Sequence, residues 1–305
     1  MKVLVTGGAG FVGTNLIKRL LRDGHEVFAV DNYSTGFREN KQDDCKYYEQ
    51  DISNKYFWSL SDKCYCQISC GCQIEKPDVI FHLAALARIQ PSFNNPQEVF
   101  EVNVLGTQNV LNYAREINVP VVYAGSSTAH GDHFANPYSF TKLQGELLCE
   151  MYNKVFNLPT VITRFYNVYG EHQILEGPYA AIIGIFQKQY SDGKTLTVTG
   201  DGEQRRDFTH VEDIVDGLVR CGNGLLDEGS SVISGKTFEL GRGENYSINE
   251  ITKMYGEDEV EYITARPGEM RVTLCESVEA RELLGWNPTI DIKDYIKSFL
   301  NESLV

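Results

Sequence analysis

The sequence predicts an α/β protein built on a doubly wound parallel sheet, and three observations carry that prediction. Short β-branched runs alternate with amphipathic helical stretches through the first half of the chain. The runs show little polar alternation, as strands buried on both faces of a parallel sheet require. A glycine-rich turn, Thr6-Gly7-Gly8-Ala9-Gly10-Phe11-Val12-Gly13, falls between the first strand and the first helix, where such sheets build a ligand site.

Taken in order, Val3-Leu4-Val5 reads as a strand and Phe11 to Leu21 as a helix, with Val12, Leu16 and Leu20 at four-residue spacing. Strands follow at Val27 to Val30, Asp78 to His82 and Val119 to Ala124, and a helix at Val99 to Tyr113. Tyr138 to Met151 is a further helix, its apolar stripe formed by Leu143, Leu147 and Met151, and Thr160 to Arg164 is the next strand. Beyond about residue 170 the regularity loosens into the strand-like Leu196-Thr197-Val198, the helix Val211 to Val219 and shorter elements. The expected organisation is a Rossmann domain over residues 1–170, with 200–222 returning to it, and a smaller C-terminal domain drawn mainly from 171–305 that covers the top of the sheet.

At 305 residues the chain can bury a sizeable core. Its formal charge of −14 argues against a nucleic-acid surface, which needs Lys and Arg to neutralise phosphates. The opening apolar run is too short for a secretory signal, and no stretch approaches the roughly 20 apolar residues of a membrane span, so a cytoplasmic protein is expected. The eight cysteines then read as thiols rather than a disulfide framework. Four of them cluster as Cys64-x-Cys66-x3-Cys70-x-Cys72, but C-x-C is a poor match for a tetrahedral zinc site, and no metal is expected.

In the glycine-rich turn, Gly8-x-Gly10-x-x-Gly13 fits a dinucleotide fingerprint, and Gly7-x-x-Gly10-x-x-Gly13 a second accepted spacing. Glycine serves there for the tight turn, for backbone approach to pyrophosphate and for close helix–strand packing, and the helix N-terminus offers its free N–H groups to phosphate. Asp31 ends the second strand about 20 residues on, where an acid takes the ribose hydroxyls. An acid at that position repels a 2′-phosphate and no Arg or Lys adjoins it, so the expected cofactor is NAD.

Tyr138-x-x-x-Lys142 places a phenol and an ammonium on one helix face. An unperturbed tyrosine, with a pKa of about 10, is a poor base near neutrality, and a cation beside it would lower that value. Gly125-Ser126-Ser127-Thr128 leaves an apolar strand at its carboxyl end, where parallel sheets bind ligands. A hydroxyl there could relay a proton to Tyr138, and for Ser127 a plain polar loop exit stands as an equal alternative.

With these motifs in hand, the chain resembles the extended short-chain dehydrogenases/reductases of the NAD-dependent epimerase/dehydratase family, and UDP-hexose 4-epimerases in particular. The resemblance runs from Lys2 to about Pro288, through Phe81-His82-Leu83-Ala84-Ala85, Arg164 to Gly170, Gly200 to Phe208 and Arg266-Pro267-Gly268-Glu269. It implies that Gly7, Gly10 and Gly13 hold the pyrophosphate and Asp31 the adenosine ribose. Asp51 and Ile52 would flank the adenine, Leu83, Ala84 and Ala85 would line the cofactor, and Phe11, Val12, Asn32, Gly36, Asn103 and Tyr166 would complete its contacts. Tyr138 would be the base, Lys142 would hold the nicotinamide ribose, and Ser126 would be the hydroxyl catalyst. Homodimerisation through the Val99–Tyr113 and Tyr138–Met151 helices is likewise implied.

For the substrate, the resemblance implies a UDP-sugar or another nucleotide sugar. Asn167, Arg206 and Arg266 would contact its diphosphate, Glu269 its ribose, Leu196 and Val198 its base, and Ser126, Ser127 and Tyr138 its sugar. Asn167 also reads as a turn residue, and Arg206 as a surface arginine beside Arg205. The family's 4,6-dehydratases follow the loop hydroxyl with an Asp-Glu pair, whereas this chain has Ser127 and Thr128. Elimination across C5 and C6 needs an acid and a base, so the dehydratase reading weakens. The resemblance also implies that bulk four residues beyond Glu269 decides whether an N-acetyl group fits, and the residue there is the small Thr273, although it also reads as a surface strand residue. His82 is expected to be structural and Arg88 solvated. His130, which replaces an aromatic residue common in this loop, and His133 are placed near the site rim. A decarboxylase, an epimerase on a GDP, dTDP or CDP sugar, and a non-catalytic NAD-binding module remain as alternatives.

Overall fold

The computed structural model describes residues 1–56, 58, 74–227, 230–257 and 259–303. Seven parallel strands form the central sheet: β1 (Lys2–Thr6), β2 (Glu26–Asp31), β3 (Cys45–Glu49), β4 (Val79–His82), β5 (Val121–Ser126), β6 (Thr160–Phe165) and β7 (Thr237–Leu240). Their order across the sheet is 3-2-1-4-5-6-7. The chain therefore reverses direction between β1 and β4, and a crevice opens there at the carboxyl ends of the strands.

Side-chain alternation along β1 builds both faces of the core. Val3 and Val5 join one apolar cluster with α1 (Phe11–Arg22), while Leu4 joins a second cluster with α2 (Thr107–Ile117) and α3 (Pro137–Phe156). The helix α4 (Val211–Leu226) returns to pack beside α1 on the first face, so residues of the C-terminal half complete that layer. Trp286, fully buried, donates from Nε1 to the Asp213 carbonyl of α4 at 2.8 Å. The Asp213 carboxylate accepts from the backbone of Thr289 and Ile290, both at 3.0 Å, and so fastens the tail to α4. A third cluster, with Phe186, Leu196, Val198, Phe208 and Ile251 at its centre, forms the core of the smaller C-terminal portion.

Two helices differ from the sequence reading. The stretch expected as one helix from Val99 to Tyr113 is interrupted by a π turn over Glu101–Gly106. Inside that turn, Asn103 is buried and bonds the backbone of Leu86 in both directions, accepting its N–H at 2.8 Å and donating to its C=O at 3.2 Å. In α3 the stripe of Leu147 and Met151 faces outward, at 53% and 38% exposure. Its buried face instead carries Lys142, Gly145, Glu146, Cys149 and Tyr152. Close approach decides this: a Cβ on Gly145 would stand 2.1 Å from the Tyr123 hydroxyl of β5.

The four described cysteines that are free thiols, Cys45, Cys149, Cys221 and Cys275, are all buried. The Cys64–Cys72 cluster lies outside the described residues. Among the described residues no helix is long and apolar enough to cross a membrane.

Between β1 and α1 the chain turns at Gly7, whose φ of +73° favours glycine. A Cβ on Gly13 would stand 2.0 Å from the Gly7 carbonyl oxygen, so α1 can meet the turn only through a glycine. Gly13→Ala is therefore expected to cost at least about 2 kcal/mol through overpacking. Urea unfolding measures it, and an unchanged midpoint would show that helix and turn are not in contact.

Candidate active site

A cleft of ≈ 450 Å³ runs from the glycine-rich turn, over the carboxyl ends of β1, β4 and β5, to the C-terminal portion. Gly7, Gly10, Phe11, Val12 and Gly13 line one end. Gly10 caps α1 without a side chain, so the first-turn amides remain available to a ligand. Next to them lies Asp31, whose carboxylate accepts from the Ala9 N–H at 2.9 Å and the Tyr33 N–H at 2.7 Å. Burial pushes its pKa up, against the pull of those two bonds. Asn32 donates to Asp51 at 2.7 Å, and both line the cleft together with Ile52. Arg38, seven residues beyond Asp31, is engaged elsewhere: it donates to Glu49 at 2.9 Å and stacks 4.2 Å from the Tyr33 ring centroid.

Leu83, Ala84 and Ala85 form the floor at the end of β4. Beneath them His82 is buried between Thr6 and Thr107, with its nitrogens 2.7 Å and 3.0 Å from their hydroxyls. Burial pushes its pKa down to about 3, so it stays neutral and ties strand to helix.

The hydroxyls gather at the end of β5. Ser126 Oγ lies 3.4 Å from the Tyr138 hydroxyl, and it accepts from Thr128 N at 3.2 Å and Thr128 Oγ1 at 3.0 Å. Asn136 caps α3 by accepting from Ser139 N at 2.8 Å, which sets Tyr138 in the first turn. Burial holds the Tyr138 phenol above its ordinary value, opposed by the Ser126 hydrogen bond and by the charge of Arg88. The expected cation, Lys142, does not supply that opposition. Its ammonium donates to the Ala124 carbonyl and lies 4.6 Å from the Tyr123 ring centroid, and burial lowers its pKa to about 8.

Toward the C-terminal portion, Arg206 and Arg266 flank Glu269 at 3.8 Å and 4.0 Å, and all three line the cleft. Gln90 and Asn136 hold their loop by donating to the Pro267 and Gly268 carbonyls at 2.9 Å and 3.2 Å. Asn167 spends both amide hydrogens on the Asp207 carbonyl, 2.9 Å away, and Thr273 Oγ1, 3.0 Å away. It therefore presents an acceptor, which suits a hydroxyl or N–H and not the phosphate expected from the sequence. Thr273 is buried at the cleft wall rather than on the surface.

Five expected contacts do not line the cleft. Gly36 packs against the Ala9 backbone, where a Cβ would come within 2.8 Å, so it supports the turn. Asn103 acts through Leu86, as described above. Tyr166 is buried and donates to Glu239 at 2.6 Å. Leu196 and Val198 point into the C-terminal core, and strand alternation leaves the cleft side to Thr199. His130 lies off the cleft with Nε2 2.5 Å from Glu239, and His133 also lies off it. Arg88, expected to be solvated, lines the cleft and donates from Nε to the Tyr179 carbonyl at 2.7 Å.

Sequence reasoning also missed a network behind the hydroxyls. Glu146 of α3 accepts from Arg164 of β6 at 2.8 Å, and Arg164 reaches Glu239 of β7 at 3.3 Å. The i+4 step from Lys142 to Glu146 was the available signal. Among the described residues no cluster of three or more His, Cys, Asp or Glu side chains could hold a metal.

Residues 3–241 match the family model described as the NAD dependent epimerase/dehydratase family. The chain is 32% identical over 315 residues to a UDP-glucose 4-epimerase of Mycolicibacterium smegmatis, covering 97% of this chain and 96% of that protein. Among solved structures, a UDP-glucose 4-epimerase from Thermotoga maritima in complex with UDP-glucose superposes with a TM-score of 0.86 at 26% identity, covering 100% of both chains. A UDP-glucuronic acid 4-epimerase from Bacillus cereus, in complex with UDP-glucuronic acid and NAD, gives 0.84 at 27%, covering 100% of this chain and 99% of that one. The glycine cradle, the free amides of α1 and the buried Asp31 fit NAD, which is the cofactor.

The buried Lys142 ammonium costs stability wherever the unfolded chain holds that proton more tightly, and the cost fades between about pH 8 and 10.5. Any stability advantage of Lys142→Met over the parent should therefore shrink across that window, by on the order of 3 kcal/mol. Urea unfolding of the NAD-free forms measures it. A pH-independent difference would mean that the amine is not desolvated.

Proposed function

The chain belongs to the NAD dependent epimerase/dehydratase family, and within it we propose that this protein inverts C4 of a UDP-hexose or UDP-N-acetylhexosamine through a transient 4-keto sugar. The observation that carries this reading is the meeting of the Ser126 and Tyr138 hydroxyls in the cleft, 3.4 Å apart, on a turn that bears no carboxylate. NAD, when bound, supplies the hydride acceptor for C4 and the donor that returns it. Tyr138 takes the C4 hydroxyl proton, directly or through Ser126, and gives it back once the carbonyl is reduced. Ser127 flanks them on the same turn, and Lys142 holds the nicotinamide ribose.

Arg206 and Arg266 anchor the diphosphate while the keto sugar turns over, so binding energy remote from C4 is retained through the rotation. Glu269 accepts from the nucleotide ribose, and the Asn167 carbonyl from a substrate hydroxyl or N–H. The small Thr273 leaves room for an N-acetyl group. Elimination of water has no second acid–base pair on the turn, which weighs against dehydration.

UDP-glucose and UDP-N-acetylglucosamine should both be inverted at C4 without added NAD, followed by NMR of the products. Tyr138→Phe should lower kcat by about 100-fold or more, in the range of a lost general base, with NAD content unchanged. Turnover of UDP-glucose alone would reject the role of Thr273. Unchanged activity of Tyr138→Phe would reject the mechanism.

The proposal extends to assembly. Phe100, Leu105, Leu147 and Met151 are exposed on the adjoining helical segments Pro96–Gly106 and α3. A homodimer that joins these helices would cover them. Light scattering should give twice the chain mass for the parent and the single mass for the Leu147→Glu/Met151→Glu double variant. A monomeric parent would end the idea.

A further inference from the structure

Most arginines of the cleft and its surroundings have an acidic partner. Arg164 is shared between Glu146 and Glu239, Arg242 meets Asp291 at 2.9 Å, Arg205 meets Glu250 at 2.9 Å, and Arg206 and Arg266 straddle Glu269. Arg88 differs. It follows β4, immediately before the helix Ile89–Asn94, and its Nε is fixed on the Tyr179 carbonyl. Among the described residues no carboxylate lies within 4.0 Å of it, and its two Nη groups have no protein acceptor. It lines the cleft together with Ser126 and Tyr138, and the helix it precedes meets the Tyr138 backbone, whose N–H donates to Ser92 Oγ at 3.2 Å.

A half-buried guanidinium that faces a cleft without a counter-ion gains a charge-assisted pair when an anion arrives. The tethered Nε fixes the plane of the fork, and the free Nη edge suits an oxyanion, above all a carboxylate gripped by two parallel bonds. A neutral hydroxymethyl group in the same place would leave the donors poorly paired. The substrate diphosphate and the cofactor pyrophosphate are the other oxyanions available, but Arg206 and Arg266 offer the first cations beside Glu269, and the free amides of α1 serve the second.

We propose that Arg88 receives a substrate oxyanion at the Tyr138 end of the cleft, and that this oxyanion is a carboxylate on the sugar, so that the preferred substrate is a UDP-hexuronate. The proposal rests on the nucleotide-sugar reading above and moves the preferred sugar from a neutral hexose to its uronate. Arg88 thereby becomes the specificity-determining residue of the sugar end, while Tyr138 and Ser126 keep their roles.

Calorimetric titration of the NAD-loaded parent, Arg88→Met and Arg88→Lys with UDP, UDP-glucose and UDP-glucuronate tests this directly. The parent should bind UDP-glucuronate more tightly than UDP-glucose by about 10- to 100-fold, the range of a charge-assisted bond. Arg88→Met should erase that preference and Arg88→Lys keep part of it, with UDP affinity, NAD content and melting temperature unchanged. Equal loss for all three ligands would assign Arg88 to the diphosphate, and loss of NAD would assign it to the cofactor. Either result overturns the proposal, as does an unaltered preference in Arg88→Met. C4 inversion is scored separately by NMR. UDP-glucuronate that binds through Arg88 without inversion counts against the epimerase reading alone, whereas inversion of UDP-glucose with no preference for the uronate counts against Arg88 alone.

Discussion

The ion pair between Glu146 and Arg164 is the constraint on which the active site depends. Glu146 is almost wholly buried, and removing its partner would leave an uncompensated charge at a cost of about 3–5 kcal/mol. The pair fixes α3 against β6 and sets the rotation of the helix about its axis. Lys142, one turn earlier, is thereby held over β5, and Tyr138, one turn earlier again, meets the hydroxyls at the end of that strand. Gly125 permits the approach, since a Cβ there would lie 2.7 Å from Glu146 Oε1. Glu239 extends the pair to Tyr166 and His130, so the turn that follows Ser126 is tied to β7. The apolar stripe of α3 faces outward because its polar face is the one that must be buried.

How much of this was legible in the sequence follows from the range of the interactions. The glycine turn, Asp31 and the Tyr138–Lys142 spacing are local features of the sequence, and the fold brings all of them to the cleft. Strands β3 and β7 were missed because charged or polar residues interrupt them, Lys46 and Glu49 in one and Thr237 and Glu239 in the other, unlike the apolar interior strands. The stripe of Leu143, Leu147 and Met151 misled because periodicity reports that a helix has an apolar face, not which partner covers it. Leu196 and Val198 were assigned to the base, yet a one-residue alternation turns both into the core. Arg88 read as solvated because nothing near it in sequence pairs with it. That same lack of a partner makes it informative once the fold brings it into the cleft.

Charge within the cleft runs against the charge of the whole. The chain carries −14, yet Arg88, Lys142, Arg206 and Arg266 all line the pocket. These cations sit on the side of the hydroxyls and the C-terminal portion, whereas Asp31 and Asp51 stand at the far end. An anionic ligand is thus drawn toward one half of the cleft, and hydroxyl donors toward the other. Net charge speaks to what the outer surface repels, and it is the local arrangement that selects the ligand.

Under the proposed inversion at C4, the hydroxyls at the end of β5 would also explain how one site can serve two configurations at a carbon. A carboxylate or ammonium has a fixed hydrogen-bonding sense, whereas a hydroxyl can donate or accept and reorients by rotation about one bond. Ser126 Oγ accepts from both Thr128 Oγ1 and the Tyr138 hydroxyl, so the three form one connected set of such groups. An incoming sugar hydroxyl can enter that set as donor or acceptor at little cost. If the set contained a carboxylate, one stereoisomer would be held more firmly than the other and return of the turned-over sugar would slow. Absence of a carboxylate from this turn would then do more than disfavour dehydration: it would leave the hydroxyls that meet C4 able to serve either face of the sugar. On the same proposal, fixed charges such as Arg206 and Arg266 would hold the parts of the substrate that do not turn.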